Sequence, residues 1–197
     1  MVPEEIRQLD ENLSDQYLCN FSVFQSLIDH WALKQLFPIV PLQGLERAPE
    51  REARLVDITC DSDGQVDHFI DPEAQRDTLP LHLPTSVGGG PYHLGFFLMG
   101  AYQDIMGDMH NLFGRVNEVH VFLDPDEENG YYIEEVIEGT SIASVLDMVQ
   151  YDEKALVRSV KKQIDSAIQD DRLKPSEGMR LLAEYSNGLR DQTYLSF

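Results

Sequence analysis

The chain has 197 residues, of which 42% are hydrophobic and 25% charged, so a wholly disordered protein is excluded. Thirty-five acidic against fifteen basic side chains give a formal net charge of −20. A surface so acidic repels phosphate backbones and anionic lipid, which excludes nucleic-acid and membrane-surface roles and favours a cationic ligand or a basic partner.

Residues 1–13 read as a polar helical lead-in, with Ile6, Leu9 and Leu13 at helical spacing. Tyr17 to Phe24 is apolar and predicts a strand, followed by a helical turn through Asp29, His30 and Trp31. Phe37 to Leu42 carries two prolines and must be extended, at an edge or in an irregular connection. Ala53 to Cys60 predicts a strand that enters the turn Asp61-Ser62-Asp63-Gly64, and Val66 to Ile70 returns from it. Leu79, Leu81 and Leu83 alternate around Pro80, which marks an edge strand, and Tyr92 to Met99 suits a buried strand. Gly100-Ala101-Tyr102 then opens a short helical segment, and Val116 to Leu123 with Tyr131 to Ile137 predicts a hairpin. Beyond Gly139 come three helices: one capped by Thr140 or Ser141, one by Asp152, and one running from Pro175 to a stop at Gly188. The expected class is α+β: an antiparallel, sandwich- or barrel-like β-domain over residues 1–139, then a helical extension over 140–197.

No apolar run is long enough to span a bilayer, and Pro3, Glu4, Glu5 and Asp10 stand where a signal peptide would be basic and then apolar. Two cysteines, Cys19 and Cys60, form no disulfide framework, so a reduced, cytoplasmic location is expected. The densest polar constellation is Cys60-Asp61-Ser62-Asp63-Gly64: a thiol beside two carboxylates offers a proton donor and a cation clamp together. The plainer reading is a strand-end cysteine followed by ordinary turn residues. An EF-hand reading fails because the twelfth position falls on Ile70. Asp124, Asp126 and Glu128 read as a solvated hairpin loop. Gly88-Gly89-Gly90 precedes a strand and no lysine follows, so it is no phosphate loop. Gly100-Ala101-Tyr102 joins a strand end to a helical turn, which would set backbone N–H groups and a phenol near one point. The six histidines include no HxH or HxxxH pair, and no GxSxG is present.

Several blocks taken together resemble the C-terminal part of the biosynthetic arginine decarboxylases. They are Asn20 to Ser26 with Asp29, His30 and Trp31; Gln35 to Ile39; Asp57 to Gly64; Leu94 to Phe97 through Gly100 to Gln103; Met109 to Gly114; and Gly188-Leu189 with Thr193 to Leu195. They occur in order from about residue 18 to the end. The resemblance implies pyridoxal phosphate chemistry on the alanine-racemase-like fold, a TIM barrel followed by a β-domain, converting arginine to agmatine and CO2 in putrescine and spermidine biosynthesis. It implies a homo-oligomer whose interface sites are completed by the β-domain, and an association with magnesium, for which no ligand set is visible in the sequence.

By position, Cys60 corresponds to the cysteine that reprotonates the α-carbon in the partner's site. Asp61 corresponds to the acid that receives the substrate's distal cation, with Asp63 beside it on proximity alone. Tyr102 corresponds to the tyrosine at the cofactor phosphate, with Gly100 and Ala101 setting its approach. A barrel of about 250 residues does not fit in this chain. The Schiff-base lysine belongs to that barrel, and none of Lys34, Lys154, Lys161, Lys162 or Lys174 lies in a matching motif. The chain is therefore expected to be a fragment, a truncated reading frame or half of a split enzyme, inactive alone until a barrel joins it. The alternative is a catalytically silent dimerisation or regulatory module of a decarboxylase.

Overall fold

The computed structural model describes residues 13–71 and 75–196. All but Leu13 of the expected lead-in lies outside them. The chain forms two compact units, one reaching to Asn111 and one starting at Leu112.

In the first unit the organising element is β3 (Arg51–Val56), whose alternation buries Ala53 and Leu55 while Glu52 faces out. It pairs in parallel with β1 (Asp15–Leu18), aligning Tyr17 with Leu55. It pairs antiparallel with β4 (Gln65–Val66) at one end and β7 (Leu79–Leu81) at the other. Pro80 is tolerated because β7 has β3 on one side only among the described residues. Two further two-stranded sheets join β2 (Ile39–Pro41) to β8 (Leu94–Phe96), and β5 (Phe69–Ile70) to β6 (Gln75–Arg76). Val23, Leu27, Phe37, Leu55, Val66, Phe69 and Leu81 form the core.

Four expectations need correction. The strand predicted over Ala53 to Cys60 stops at Val56, because the chain turns at Asp57, whose N–H donates to the Gly64 carbonyl. The strand predicted over Tyr17 to Phe24 ends at Leu18, and Val23 starts α1 (Val23–Ser26). Ser22 caps that turn by accepting the Gln25 N–H at 3.3 Å, and the Asp57 carboxylate takes the Val23 N–H at 2.8 Å. A side chain 34 residues away thereby overrides local strand propensity. The returning strand over Val66 to Ile70 is interrupted at Asp67 and His68, leaving β4 and β5 apart. The predicted buried strand over Tyr92 to Met99 shrinks to β8, which is only half-buried, because Leu98 turns the chain with φ 58° and is 90% exposed.

The helix α2 (Ile28–Leu33) carries His30, 5% exposed, whose Nδ1–H donates to the Gln35 carbonyl at 3.0 Å. Burial lowers the His30 pKa below its usual value. The folded chain therefore keeps the ring neutral in a range where the unfolded chain protonates it. The resulting stability is complete above about pH 6.5 and is lost as the pH falls beneath it. His120 has the opposite sign, its pKa raised by a hydrogen bond to Glu118. In a His120→Gln background, urea midpoints should therefore fall between pH 7 and pH 5.5, and His30→Asn should flatten that fall.

In the second unit β9 (Glu118–Leu123) and β10 (Tyr131–Ile137) form the expected hairpin, with a register shift between Ile133 and Glu135. Its apolar side chains Val119, Val121, Phe122, Tyr132, Ile133 and Val136 are exposed. Ser141 caps α4 (Ile142–Met148), Asp152 caps α5 (Glu153–Gln169), and α6 runs from Pro175 to Gly188, as expected. The helices α5 and α6 approach closely at Gly178, where a methyl group would stand 2.7 Å from Ile164 Cγ2. Thr193 Oγ1 accepts the Gly114 N–H at 2.8 Å, and Tyr194 stacks on Phe113 and donates its hydroxyl to the Gly114 carbonyl. The architecture is α+β, with strands and short helices mixed as far as Ile137 and helices after it. The change from strand to helix falls between Ile137 and Ile142, and the hairpin belongs to the same compact unit as the helices.

Candidate functional site

The turn after β3 is built around Asp57, 4% exposed. Its Oδ2 accepts the Val23 N–H, and its Oδ1 accepts both the Thr59 N–H at 2.8 Å and the Thr59 hydroxyl at 2.7 Å. Its own N–H donates to the Gly64 carbonyl at 2.8 Å, which closes the loop across residues 57–64. Gly64 is required by space: a methyl there would collide with Asp57 Oδ1 and stand 2.6 Å from Thr59 Oγ1. A buried carboxylate that accepts three donors thus holds an exposed turn in place.

Cys60, Asp61 and Asp63 sit on that turn, all exposed. The Cys60 N–H donates to Asn111 Oδ1 at 3.2 Å, and Asn111 Nδ2 donates to Cys60 Sγ at 3.4 Å. Asp61 Oδ1 accepts the Asp63 N–H at 2.9 Å, and its Oδ2 faces His110 Nε2 at 3.5 Å. Asp63 Oδ2 accepts the Trp31 Nε1–H at 3.3 Å. The rings of His110 and Trp31 both pack on the buried ring of Phe24, with centroids 4.5 and 5.3 Å away. One core aromatic, placed by the Asp57-capped α1, therefore seats the partners of both carboxylates.

Tyr102, Gly100 and Ala101 lie on a different turn, ahead of α3 (Gln103–Met106). Tyr102 has φ 70° and is 71% exposed. Gly100 has φ +117°, which favours glycine, with open space where a side chain would stand. The Gln103 N–H donates back to the Gly100 carbonyl at 3.1 Å, so that donor is already used within the turn. Gln103 Nε2 donates to Asp29 of α2 at 2.9 Å, and Trp31 of the same helix reaches Asp63, so α2 ties the two turns. Among the described residues no group of three or more His, Cys, Asp or Glu is arranged to hold a metal ion. No helix among them is long and apolar enough to cross a membrane.

The two thiols differ. Cys19 is partly buried, donates to the Tyr17 carbonyl, and has its pKa pushed up to about 11 by burial and by the Asp57 charge. Cys60 is exposed. A disulfide reagent at pH 8 should therefore titrate one thiol quickly, and Cys60→Ser should remove that fast phase. Two fast thiols would contradict the packing around Cys19.

A family model described as the arginine decarboxylase C-terminal helical extension matches residues 142–195. The biosynthetic arginine decarboxylase of Phocaeicola vulgatus is 48% identical over 194 residues, covering 98% of this chain and 30% of that protein. By sequence the chain belongs with the C-terminal portion of the biosynthetic arginine decarboxylase family. The family relative from Deinococcus radiodurans is 45% identical over 196 residues, covering 100% of this chain and 29% of its own length. The crystal structure of the biosynthetic arginine decarboxylase SpeA from Campylobacter jejuni superposes with a TM-score of 0.76 at 37% identity, covering 92% of this chain and 29% of that one. The chain thus spans about 30% of the length of the arginine decarboxylases it matches.

The Cys60 turn and the Tyr102 turn are visible in the sequence, which gives no chemical role to Asp57, His110, Asn111 or Trp31. The Cys60–Asn111 contact spans 51 residues. No local pattern announces such a pairing.

Proposed function

We propose that this chain supplies one wall of a pyridoxal-phosphate-dependent arginine decarboxylase site at a subunit interface, and is inactive without the remaining part of the enzyme. The observation that carries the reading is the exposed Cys60-Asp61-Ser62-Asp63 turn, held rigid by Asp57 in a chain 48% identical to an arginine decarboxylase. A rigid exposed turn is what a site completed across an interface requires.

In this reading Asp61 receives the guanidinium of arginine as a charge-assisted pair, and Asp63 adds negative potential beside it. Cys60 holds the proton that returns to the α-carbon after CO2 departs. Tyr102 presents its exposed phenol to the cofactor phosphate, with Gly100 and Ala101 leaving the backbone open to approach. When bound, the cofactor supplies the electron sink for the carboxylate's departure. The residues present fit one side of such a group: they offer a phenol and open backbone, while its attachment falls to the remaining part of the enzyme. The product is agmatine, a precursor of putrescine and spermidine, and the site would work in the cytoplasm. Magnesium has no ligand set among the described residues and takes no part in this account.

The second reading, a silent dimerisation or regulatory module, is favoured by the β9–β10 hairpin, whose exposed apolar side chains suit a covered surface. Mixing the chain with the N-terminal portion of the Phocaeicola vulgatus relative separates the two. Agmatine formed by the mixture and by neither part alone supports the site reading. Binding without turnover supports the module.

A further inference from the structure

Two consecutive residues of one loop attend two consecutive residues of the turn: Asn111 meets Cys60, and His110 meets Asp61. Asn111 touches Cys60 twice, accepting its backbone N–H at 3.2 Å and donating Nδ2–H to Sγ at 3.4 Å, so one planar amide fixes both the backbone and the sulfur. Its backbone sits at φ 56°, a conformation that Asn tolerates better than most residues and that aims the amide at the turn. The His110 Nε2 is buried and makes no hydrogen bond, yet it lies 3.5 Å from Asp61 Oδ2. The ring packs tilted on Phe24, with centroids 4.5 Å apart and planes at 48°, which limits its orientation. A buried ring nitrogen without a hydrogen bond is costly, and it persists here beside the Asp61 carboxylate.

Resting on the site reading above, we propose that Asn111 and His110 are positioning residues for the decarboxylation: Asn111 aims the Cys60 thiol, and His110 sets the rotamer of the Asp61 carboxylate. Neither need touch substrate. A donor on the sulfur keeps it directed and stabilises developing negative charge when its proton leaves. A nitrogen at the second carboxylate oxygen limits the orientations in which the first can pair with a cation.

The test has two parts. Asn111→Asp keeps the size, the left-handed backbone and the acceptor for the Cys60 N–H, but replaces the donor to Sγ by a negative charge. Alkylation of Cys60 by iodoacetamide at pH 8, followed by peptide mass spectrometry on this chain, should slow at least threefold at unchanged melting temperature. An unchanged rate would overturn the hold on the thiol, whatever the enzyme does. In the assembled decarboxylase, Asn111→Asp and Asn111→Gly, the latter unstrained at φ 56°, should lower kcat several-fold with little change in KM. His110→Phe, which keeps an aromatic ring against Phe24, should raise KM for arginine several-fold with little change in kcat. Equal losses in both parameters for all three variants would indicate a structural role and overturn the proposal. Failure of the site reading itself would show elsewhere, as unchanged kinetics in Cys60→Ala and Asp61→Asn.

Discussion

Asp57→Ala is expected to destabilise the first unit by about 3–5 kcal/mol, because it strands donors that a charged, buried acceptor now satisfies. Against a typical total of about 5–15 kcal/mol, such a loss leaves the unit marginal. The damage should be local in cause and wide in reach. Without Oδ2 the Val23 N–H at the start of α1 loses its partner, and without Oδ1 the Thr59 N–H and hydroxyl lose theirs. Phe24 then no longer has a fixed helix to carry it, so the seats of His110 and Trp31 loosen as well. Gly64→Ala attacks the same clasp from the other side by steric overlap with Asp57 Oδ1, and should lose about 1–3 kcal/mol. Urea unfolding followed by Trp31 fluorescence measures both variants. A loss below 1 kcal/mol in each would contradict the role given to Asp57.

The second large effect concerns the turn's exposed residues. In the assembled enzyme, Asp61→Asn should raise KM for arginine about 10- to 100-fold, the loss of one charge-assisted pairing of about 1.5–3 kcal/mol. The chain should still fold, since Asn at position 61 keeps the acceptor that takes the Asp63 N–H. Cys60→Ala should instead lower kcat at least tenfold while leaving KM nearly unchanged, because in the proposed site the thiol would enter only after the substrate is held. Asp63→Asn should have the smaller effect, since Asp63 Oδ2 is already engaged by Trp31. Steady-state kinetics of the three variants decide the assignment, and a Cys60→Ala variant with unchanged kcat would remove the thiol from the reaction.

What could be read in the sequence follows the range of the interactions. The three C-terminal helices and their starts were legible because Ser141, Asp152 and Pro175 act within one turn of themselves. The edge strand at Leu79 and Leu81 and the hairpin were legible from period-two alternation and turn residues. Phe21 to Phe24 was not, since most of its residues favour a strand, and the Ser22 cap becomes a helix start together with Asp57, far along the chain, which takes the Val23 N–H. Tyr92 to Met99 misled for a similar reason: its composition is that of a buried strand, while Leu98 is left-handed and exposed. At the site, the Cys60-Asp61-Asp63 turn is a local motif and was visible. Its supports come from Trp31, His110 and Asn111, and a left-handed Asn111 leaves no compositional trace. The parallel pairing of β1 with β3 was equally invisible, because alternation reports a buried face and not a strand's direction.

Completion of an arginine decarboxylase site by this chain, as proposed, is open to direct test. The most direct measurement is agmatine formation, with added pyridoxal phosphate, by a chimera in which this chain replaces the matching 30% of the Phocaeicola vulgatus relative, compared with this chain alone. The account predicts turnover by the chimera, its loss on Cys60→Ala, and none by the isolated chain. Agmatine produced by the chain alone, or a folded chimera whose turnover ignores Cys60 and Asp61, would contradict it.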